Sequence, residues 1–492
     1  MTTPSPSLGV AVRGVLRQGL DAYRDSPQAT NWLRQHLARF EEPLRVAVAG
    51  KVKAGKSTLL NALVGEEIAA TDAGECTRVV TWYQDGPSPK VLMFPREGPP
   101  RPLTVTRRDG ALSIDLGGTP AERVDRLVVD WPSQNLRTTA LIDTPGIASL
   151  SADASSRASA FLVPSDAPAP ADAVLYLMRH LHASDVRFLE SFHDQGVSRA
   201  APVNTVAILS RADEIGVGRL DAMASARQIA GRYRRDDKLR SLCQTVVAVA
   251  GLLAQSGRTM RQAEFTALAS LAKAEASETE PLLLSADRFV RSTTTAPLDA
   301  EVRAALLDRF GLFGVRLGIT LIRRGTDDPG ALSAELVKRS GLDELRGVLT
   351  SQFTERRDLL KSRSALLALE LVLHREPIPA SLPLAREVER ITAGAHEFTE
   401  LRLLTALRTR VVTLPKDIRS DAERLLGGDG GTPAVRLGLD PAADPAQLRE
   451  AALAALAGWQ RRAESPLSDR GQVSTARTLV RTCEGLLANL PR

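Results

Sequence analysis

The stretch Gly50-Lys51-Val52-Lys53-Ala54-Gly55-Lys56-Ser57 constrains this chain more than any other. It follows the apolar run Leu44–Ala49 and leads into Ser57-Thr58-Leu59-Leu60-Asn61-Ala62-Leu63. A G-x-x-x-x-G-K-S pattern in that setting points to one local architecture: a strand of a parallel sheet, a loop of backbone amides, and a helix starting at the loop's end. Successive N–H groups curl around phosphate oxygens, and the helix N-terminus adds its partial positive charge. Lys56 is placed to reach the β- and γ-phosphates, and the Ser57 hydroxyl to ligate Mg²⁺. Gly50 to Ser57, with Thr58 behind them, are therefore the expected nucleotide-binding residues.

The surrounding sequence alternates short β-branched runs with helical stretches. Strands are predicted at 44–50, 79–83, 90–94, 126–131, 139–143, 173–178, 204–210 and 245–250. Continuous apolar runs such as Ala173–Met178 suit strands covered on both faces, so a three-layer α/β domain with a mostly parallel sheet is expected. The Gly-, Pro- and Arg-rich stretch 84–126 reads as an antiparallel extension.

Three further motifs fit a nucleotide switch. Asp143-Thr144-Pro145-Gly146 ends the strand Thr139–Asp143; the carboxylate can hold Mg²⁺ through water, and the Gly146 N–H can meet a γ-phosphate. Ser210-Arg211-Ala212-Asp213 ends another strand. There Asp213 can accept from the N1–H and N2–H₂ edge of guanine, while the Arg211 stem covers the base. Between the first two motifs, Thr77 is the expected switch-I threonine on Mg²⁺, with Thr71 its competitor. Cys76 has no histidine near it in sequence and reads as a bystander.

The two chain ends are helical. Residues 8–41 space apolar positions by three and four, with an interruption at Ser26-Pro27 and a stop at Pro43. Residues 331–376, 384–426 and 446–491 continue the pattern; the first would be about 69 Å long if unbroken, at ~1.5 Å per residue. Three long C-terminal helices and the N-terminal one predict an all-α four-helix-type bundle. The expected division is 1–43 joining the bundle, 44–325 the GTPase domain, and 326–492 the bundle itself. The balance of 64 Lys+Arg against 58 Asp+Glu over 492 residues excludes a nucleic-acid-coating tail. Three dispersed cysteines exclude a disulfide framework and indicate a reducing compartment. No secretory signal and no membrane-spanning apolar run is found in the sequence.

Together, VAGKVKAGKSTLLNAL, TDAGECTRVVTWY, ALIDTPG and ILSRADEIG, with a bundle drawn from both ends, resemble the dynamin superfamily. The likeness is to bacterial dynamin-like proteins of the isoniazid-inducible actinobacterial IniA/IniC type, whose shorter IniC form suits this length. The resemblance covers roughly 44–250 by motif and the remainder by architecture. It implies GTP hydrolysis with Mg²⁺ and dimerisation across the nucleotide face or hetero-oligomers with a related dynamin-like protein, while the lack of an obvious water-positioning side chain predicts slow basal turnover. It also implies peripheral action on lipids at the cytoplasmic face of the cell membrane, with no nucleic-acid partner. By motif position it assigns phosphate binding to Gly50–Ser57, Mg²⁺ to Ser57, Thr77 and Asp143, the γ-phosphate to Gly146, and the base to Ser210, Arg211 and Asp213.

Two departures from the family pattern stand out. Val52 and Lys53 occupy the positions of a glutamine and a serine in eukaryotic dynamins, and Ile147-Ala148-Ser149 supplies no glutamine after Gly146. Lys53 is expected to replace a charge-compensating monovalent cation, alongside Lys56, Thr77 and Gly146 in catalysis. Ile378 and Leu382, among Pro377, Pro379 and Pro383, form an expected membrane tip at the far end of the bundle. Arg402–Arg419 carries five cationic residues against Asp417 and offers either a headgroup contact or an internal partner for acidic loops. The competing functions are a weakly hydrolysing, nucleotide-gated scaffold for a longer paralogue and an Era-like ribosome GTPase. No RNA-binding module supports the latter.

Overall fold

The computed structural model describes residues 7–69, 78–108, 111–146, 161–162, 164, 167–193, 204–292 and 297–490. Its strands are β1 (Leu44–Gly50), β2 (Val80–Asp85), β3 (Lys90–Pro95), β4 (Arg101–Leu103), β5 (Val105–Arg108), β6 (Ala111–Ile114), β7 (Val124–Trp131), β8 (Thr139–Asp143), β9 (Ala173–Met178), β10 (Thr205–Ser210) and β11 (Val246–Val249). Nine of them form one sheet in the order β11-β10-β9-β1-β8-β2-β7-β3-β4, and β5–β6 is a separate hairpin. From β11 to β8 all neighbours are parallel; β2 runs antiparallel to β8 and parallel to β7, and β3 and β4 add antiparallel pairs. The antiparallel extension falls where the Gly- and Pro-rich composition placed it. Pro102 in the three-residue edge strand β4 limits further pairing there.

The helices are α1 (Leu8–Ala22), α2 (Pro27–Ala38), α3 (Lys56–Val64), α4 (Ala183–His193), α5 (Ala222–Tyr233), α6 (Asp237–Leu242), α7 (Gly251–Arg258), α8 (Gln262–Lys273), α9 (Ala276–Leu282), α10 (Ala286–Arg291), α11 (Ala300–Arg323), α12 (Pro329–Arg339), α13 (Leu342–Leu349), α14 (Arg357–Arg375), α15 (Ser381–Gly394), α16 (His396–Arg408), α17 (Lys416–Leu425), α18 (Pro433–Leu437), α19 (Pro445–Glu464) and α20 (Arg470–Asn489). Period-2 alternation along β1 feeds two cores. Val46 and Val48 join Leu59, Leu60 and Leu175 on one face; Ala47 and Ala49 join Tyr176, Leu209, Leu268 and Phe310 on the other.

The first core does not stop at the sheet. It continues through Leu16, Leu33, Leu366, Leu369 and Val388, all buried, into a bundle of α1, α2, α14 and α15. Each such leucine contributes about 2 kcal/mol of transfer free energy. Ser26 caps α2 by accepting from Ala29 N, with Pro27 at the first helical position, which accounts for the interruption read there. At the far end the Tyr23 hydroxyl donates to Glu376 O (2.8 Å) and lies 2.8 Å from Ser381 Oγ. At the near end Arg357 donates to Phe40 O and Glu42 O, and the Lys361 ammonium donates to Arg39 O and Glu42 O. These cations occupy the open carbonyls at the end of α2.

The long C-terminal helices are broken. The 331–376 pattern divides at Gly341 (φ 82°) and at a π-turn over Thr350–Thr354. Ser340 and Gly341 run along the outer edge of β11: Ala250 N donates to Ser340 O (2.9 Å), and a β-carbon at 341 would collide with the Ala248 carbonyl. The 384–426 pattern breaks at Ala395 and again at 409–415, and 446–491 folds back at 465–469 as the α19–α20 hairpin. A smaller core of Leu404, Leu407, Leu425, Trp459, Leu479 and Cys483 holds α16–α20 together. This unit docks beside α6 through Arg240–Glu423, Arg408 to Gln244 (3.2 Å) and Arg410–Asp237 (2.8 Å).

Candidate functional site

The register of β1 sets the site. Val48 pairs with Asp143 on β8, and Gly50 with Leu177 on β9, so the phosphate loop and the Asp143-Thr144-Pro145-Gly146 turn leave the sheet side by side. Gly50 has φ 149°, and a β-carbon there would stand 2.5 Å from Leu177 O. Gly55, at φ 89°, is the N-cap of α3. Both glycines are needed, one for close approach and one for a left-handed turn. Lys53 also takes a left-handed conformation, φ 61°.

Lys56 curls back over the loop, 3.4 Å from both Gly50 O and Lys51 O. Burial pulls its pKa down, and Asp143 opposes that shift. Ser57 Oγ donates to Asp143 Oδ2 at 2.8 Å, while Asp143 Oδ1 is buried without a partner among the described residues. Burial raises the Asp143 pKa; Lys56 and the Ser57 hydrogen bond work against it. One hydroxyl and one carboxylate with an unused buried oxygen form a hard-oxygen donor pair suited to Mg²⁺ and its waters.

Thr144 anchors the neighbouring turn, its Oγ1 donating to Val48 O at 2.9 Å. Gly146 then lies against the phosphate loop at Val52. Of the two switch-I candidates, Thr71 and Thr77 both lie outside the described residues, as do Cys76 and Ile147-Ala148-Ser149.

A second part of the site opens at the end of β10. Ser210 Oγ donates to Met178 O (3.2 Å), fixing the strand end. Arg211 turns left-handed at φ 52° and Asp213 is 7% exposed. Burial pushes the Asp213 carboxyl up to about 6. Leu59, Ile208, Arg211, Asp213, Gly251 and Leu252 line a cleft that Gly55 and Thr58 connect to the phosphate loop. The site residues read from the sequence that fall in the described part therefore converge.

Several residues of the site escaped the sequence reading. Glu214 clasps Arg211 (2.5 Å) and Arg179 (2.6 Å), steadying the Arg211 stem beside the cleft. Gly251 and Leu252, at the end of the last strand, close the cleft. Helix α11 kinks at Gly311 (φ 63°, ψ 170°), where a β-carbon would approach Leu252 Cδ2 at 3.5 Å and Asp213 Oδ2 at 3.7 Å. Arg316 of the same helix donates to Val217 O (3.1 Å) and Gly218 O (2.6 Å), holding the loop beyond Asp213. A signal existed for Gly251, since a Gly following Thr245–Ala250 marks a strand-to-helix turn. None existed for Gly311.

The remaining candidates lie elsewhere. At the far end of the bundle Ile378 is half-buried against the core, while Leu382 is 60% exposed. The Arg402–Arg419 run is largely spent internally. Arg402 donates to Thr392 O and Thr399 Oγ1, Arg408 is buried on Gln244 and Gly428 O, Arg410 pairs with Asp237, and Arg419 lies 3.8 Å from Glu423.

Residues 46–209 match the model of the Dynamin family. The isoniazid-induced protein IniC of Mycobacterium tuberculosis, in strains CDC 1551 and H37Rv, is 44% identical over 484 residues, covering 97% of this chain and 98% of that protein. A bacterial dynamin-like protein of Nostoc punctiforme is 34% identical over 118 residues, covering 21% of this chain and 16% of that one. A solved structure of an oligomerised bacterial dynamin pair, described as a mechanism for the long-range sensing and tethering of membranes, is 14% identical. It covers 99% of this chain and 81% of its own, with a TM-score of 0.30.

Proposed function

The chain belongs to the dynamin family and carries its GTPase domain, and we propose that it couples Mg²⁺-assisted GTP hydrolysis to dimerisation of GTPase domains and to remodelling or maintenance of a membrane at its cytoplasmic face. The observation that carries this reading is the continuity between site and bundle. Strand β1 ends in the phosphate loop, begins two residues after the Phe40–Glu42 segment that α14 grips, and shares one core with α1, α2, α14 and α15.

In this mechanism the loop amides and Lys56 take the β- and γ-phosphates. Asp213 reads guanine under the Arg211 stem, and Gly146 meets the γ-phosphate. Ser57 and Asp143 would hold Mg²⁺, which supplies charge neutralisation between the β- and γ-phosphoryl groups. Water attacks the γ-phosphorus in line as the bond to the β–γ bridging oxygen breaks, and Lys53 offsets the charge gathering there. Loss of the γ-phosphate frees Gly146 and the segment after it. Val52, Val217, Leu220 and Leu284 are exposed apolar side chains around the nucleotide face and support pairing across it with a second copy or a related dynamin-like protein.

A second reading, a weakly hydrolysing nucleotide-gated scaffold, is favoured by Val52, which offers the attacking water no hydrogen bond. One measurement separates them: GTPase activity against protein concentration, with and without anionic liposomes. Specific activity rising with concentration and with lipid supports the first reading. A flat, near-zero rate with intact GTP binding supports the second.

A further inference from the structure

Lys51 stands one residue into the phosphate loop, and its two ends do different things. Its carbonyl faces inward, accepting from Ala54 N at 3.1 Å and from the Lys56 ammonium at 3.4 Å. Its own ammonium turns outward and lies 3.1 Å from Asp185 Oδ2. Asp185, in the first turn of α4, is fully buried. It also accepts from the Tyr176 hydroxyl at Oδ1 (2.7 Å) and from His182 N at Oδ2 (2.9 Å).

One of those three donors has a local explanation. The His182 amide is a free N–H at a helix start, and a carboxylate three residues on satisfies it whatever the site does. The other two have no part in capping α4. Tyr176 comes from β9, where it pairs with Ala49 at the end of β1. Lys51 comes from the loop that β1 feeds. The carboxylate thus pins the loop to the adjacent strand and the following helix, at a residue whose carbonyl touches Lys56 directly.

We infer that Asp185 is a positioning residue for nucleotide binding: through Lys51 it keeps the phosphate loop open, with its amides and Lys56 arranged for the phosphates before nucleotide arrives. The inference rests on reading 50–57 as the phosphate loop. Because Lys51 is held by Asp185, Lys51 and Lys53 have separate duties. Lys51 shapes the loop, and Lys53, with no partner among the described residues, is left to face the phosphates. A tie that shapes the empty loop serves GDP and GTP alike, so it acts on affinity and not on the chemical step.

The test is equilibrium binding of fluorescent GDP and a non-hydrolysable GTP analogue, together with steady-state GTPase kinetics, on the full chain. Asp185→Asn keeps one carbonyl acceptor, for the His182 amide, turns its NH₂ toward the Tyr176 oxygen, which can accept from it, and removes the charge that holds Lys51. It should weaken both nucleotides about tenfold, in equal proportion, and raise KM similarly, with kcat changed less than about twofold. Lys51→Met, which leaves Asp185 the Tyr176 and His182 donors, should give the same shift, with the melting temperature of both variants recorded so that a loss of folding is told from a loss of affinity. Lys51→Arg should restore most of the affinity. The double variant Asp185→Asn/Lys51→Met should bind no worse than either single one, since both remove one interaction. Wild-type GDP affinity in Lys51→Met, fully additive losses, or a loss confined to the GTP analogue overturns the inference. Lys56→Ala is the control for the site: if it binds GDP like the wild type, the reading of the loop fails and not the tie alone.

Discussion

Gly146 packs directly onto Val52. A β-carbon at 146 would lie 2.5 Å from Val52 Cγ2, 2.9 Å from its Cα and 3.0 Å from its backbone nitrogen. The second and third of those neighbours are backbone, so a larger residue cannot be accommodated by a rotamer change alone. Gly146→Ala must push the turn away from the phosphate loop, withdrawing the N–H that would meet the γ-phosphate. The expected result is a kcat lower by at least about tenfold, the scale of losing one oriented donor, with GDP affinity within about threefold of wild type. Single-turnover hydrolysis alongside GDP titration checks both halves.

Lys53 should carry charge compensation in cis. Its left-handed backbone (φ 61°) is unusual for a residue with a β-carbon, and its side chain is exposed beside the loop. Lys53→Ala is expected to cut kcat by about one to two orders of magnitude and to make turnover respond to added K⁺. Activity assayed in potassium, sodium and choline buffers decides. An unchanged kcat with no cation response assigns Lys53 to solvent.

Asp213 should make guanine binding acid-sensitive. On the proposed reading guanine would donate to the ionised carboxylate, whose pKa burial raises to about 6 in the empty site. Affinity for GDP should therefore fall as pH drops through about 6. Stability runs the other way: a carboxyl with a raised folded-state pKa favours the empty fold below the ordinary carboxylate range, and that contribution is lost as pH rises through about 6. Asp213→Asn should abolish the acid dependence and weaken GDP by at least about a hundredfold. It should also favour xanthosine nucleotides, whose C2 oxygen can accept from the amide. Titrations of both nucleotides across pH 5–7.5 test the pair of claims.

What the sequence disclosed, and what it hid, divides by range. The strands around Gly50, Asp143 and Asp213 were legible because each is an apolar run ending in a motif with one chemical use. The bundle was legible as a composition of two amphipathic ends, and Pro27 marked its first corner. Gly341 was not legible, because a lone glycine within a leucine-rich pattern costs a helix only about 1 kcal/mol and looks tolerable until the edge of β11 is seen to need it. Asp185, Glu214 and Arg316 act on residues brought near by the fold, and each alone in sequence is an ordinary charged surface residue.

The joint between bundle and GTPase domain predicts a large stability effect. Arg39 and Asp172, with side chains 4% and 1% exposed, pair at 2.5 Å. Arg39 also donates to Ala169 O and Pro170 O, just ahead of β9. His36 beside it is held neutral, its pKa lowered to about 3 by burial and by the Arg39 charge. Arg39→Ala leaves Asp172 buried without its counter-ion and should cost about 3–5 kcal/mol, read by urea denaturation. Arg39→Lys keeps the charge but cannot span two carbonyls and a carboxylate at once, so it should cost roughly half as much. A loss under about 1 kcal/mol for the alanine variant would show the joint relaxing around the gap.

Any lipid contact at the bundle's far turn must rest on Leu382. Ile378 packs against the core and its amide donates to Ser381 Oγ (2.9 Å), so it adds little exposed area. One inserted leucine is worth about 1.5–3 kcal/mol, which alone gives weak binding that only many copies on one surface would strengthen. Of the Arg402–Arg419 charges, Arg408 is buried, Arg410 pairs with Asp237, Arg419 lies beside Glu423 and Arg402 bonds to Thr392 O and Thr399 Oγ1, so lipid binding should be only modestly salt-dependent. Leu382→Asp should abolish co-sedimentation with anionic liposomes without shifting the melting temperature by more than a degree or two. The comparison variant is Leu467→Asp, at the α19–α20 turn, where Leu467 is 94% exposed between Arg462 and Arg470. If Leu382→Asp sediments normally and Leu467→Asp does not, the membrane contact belongs to the hairpin; if both sediment normally, neither tip touches lipid.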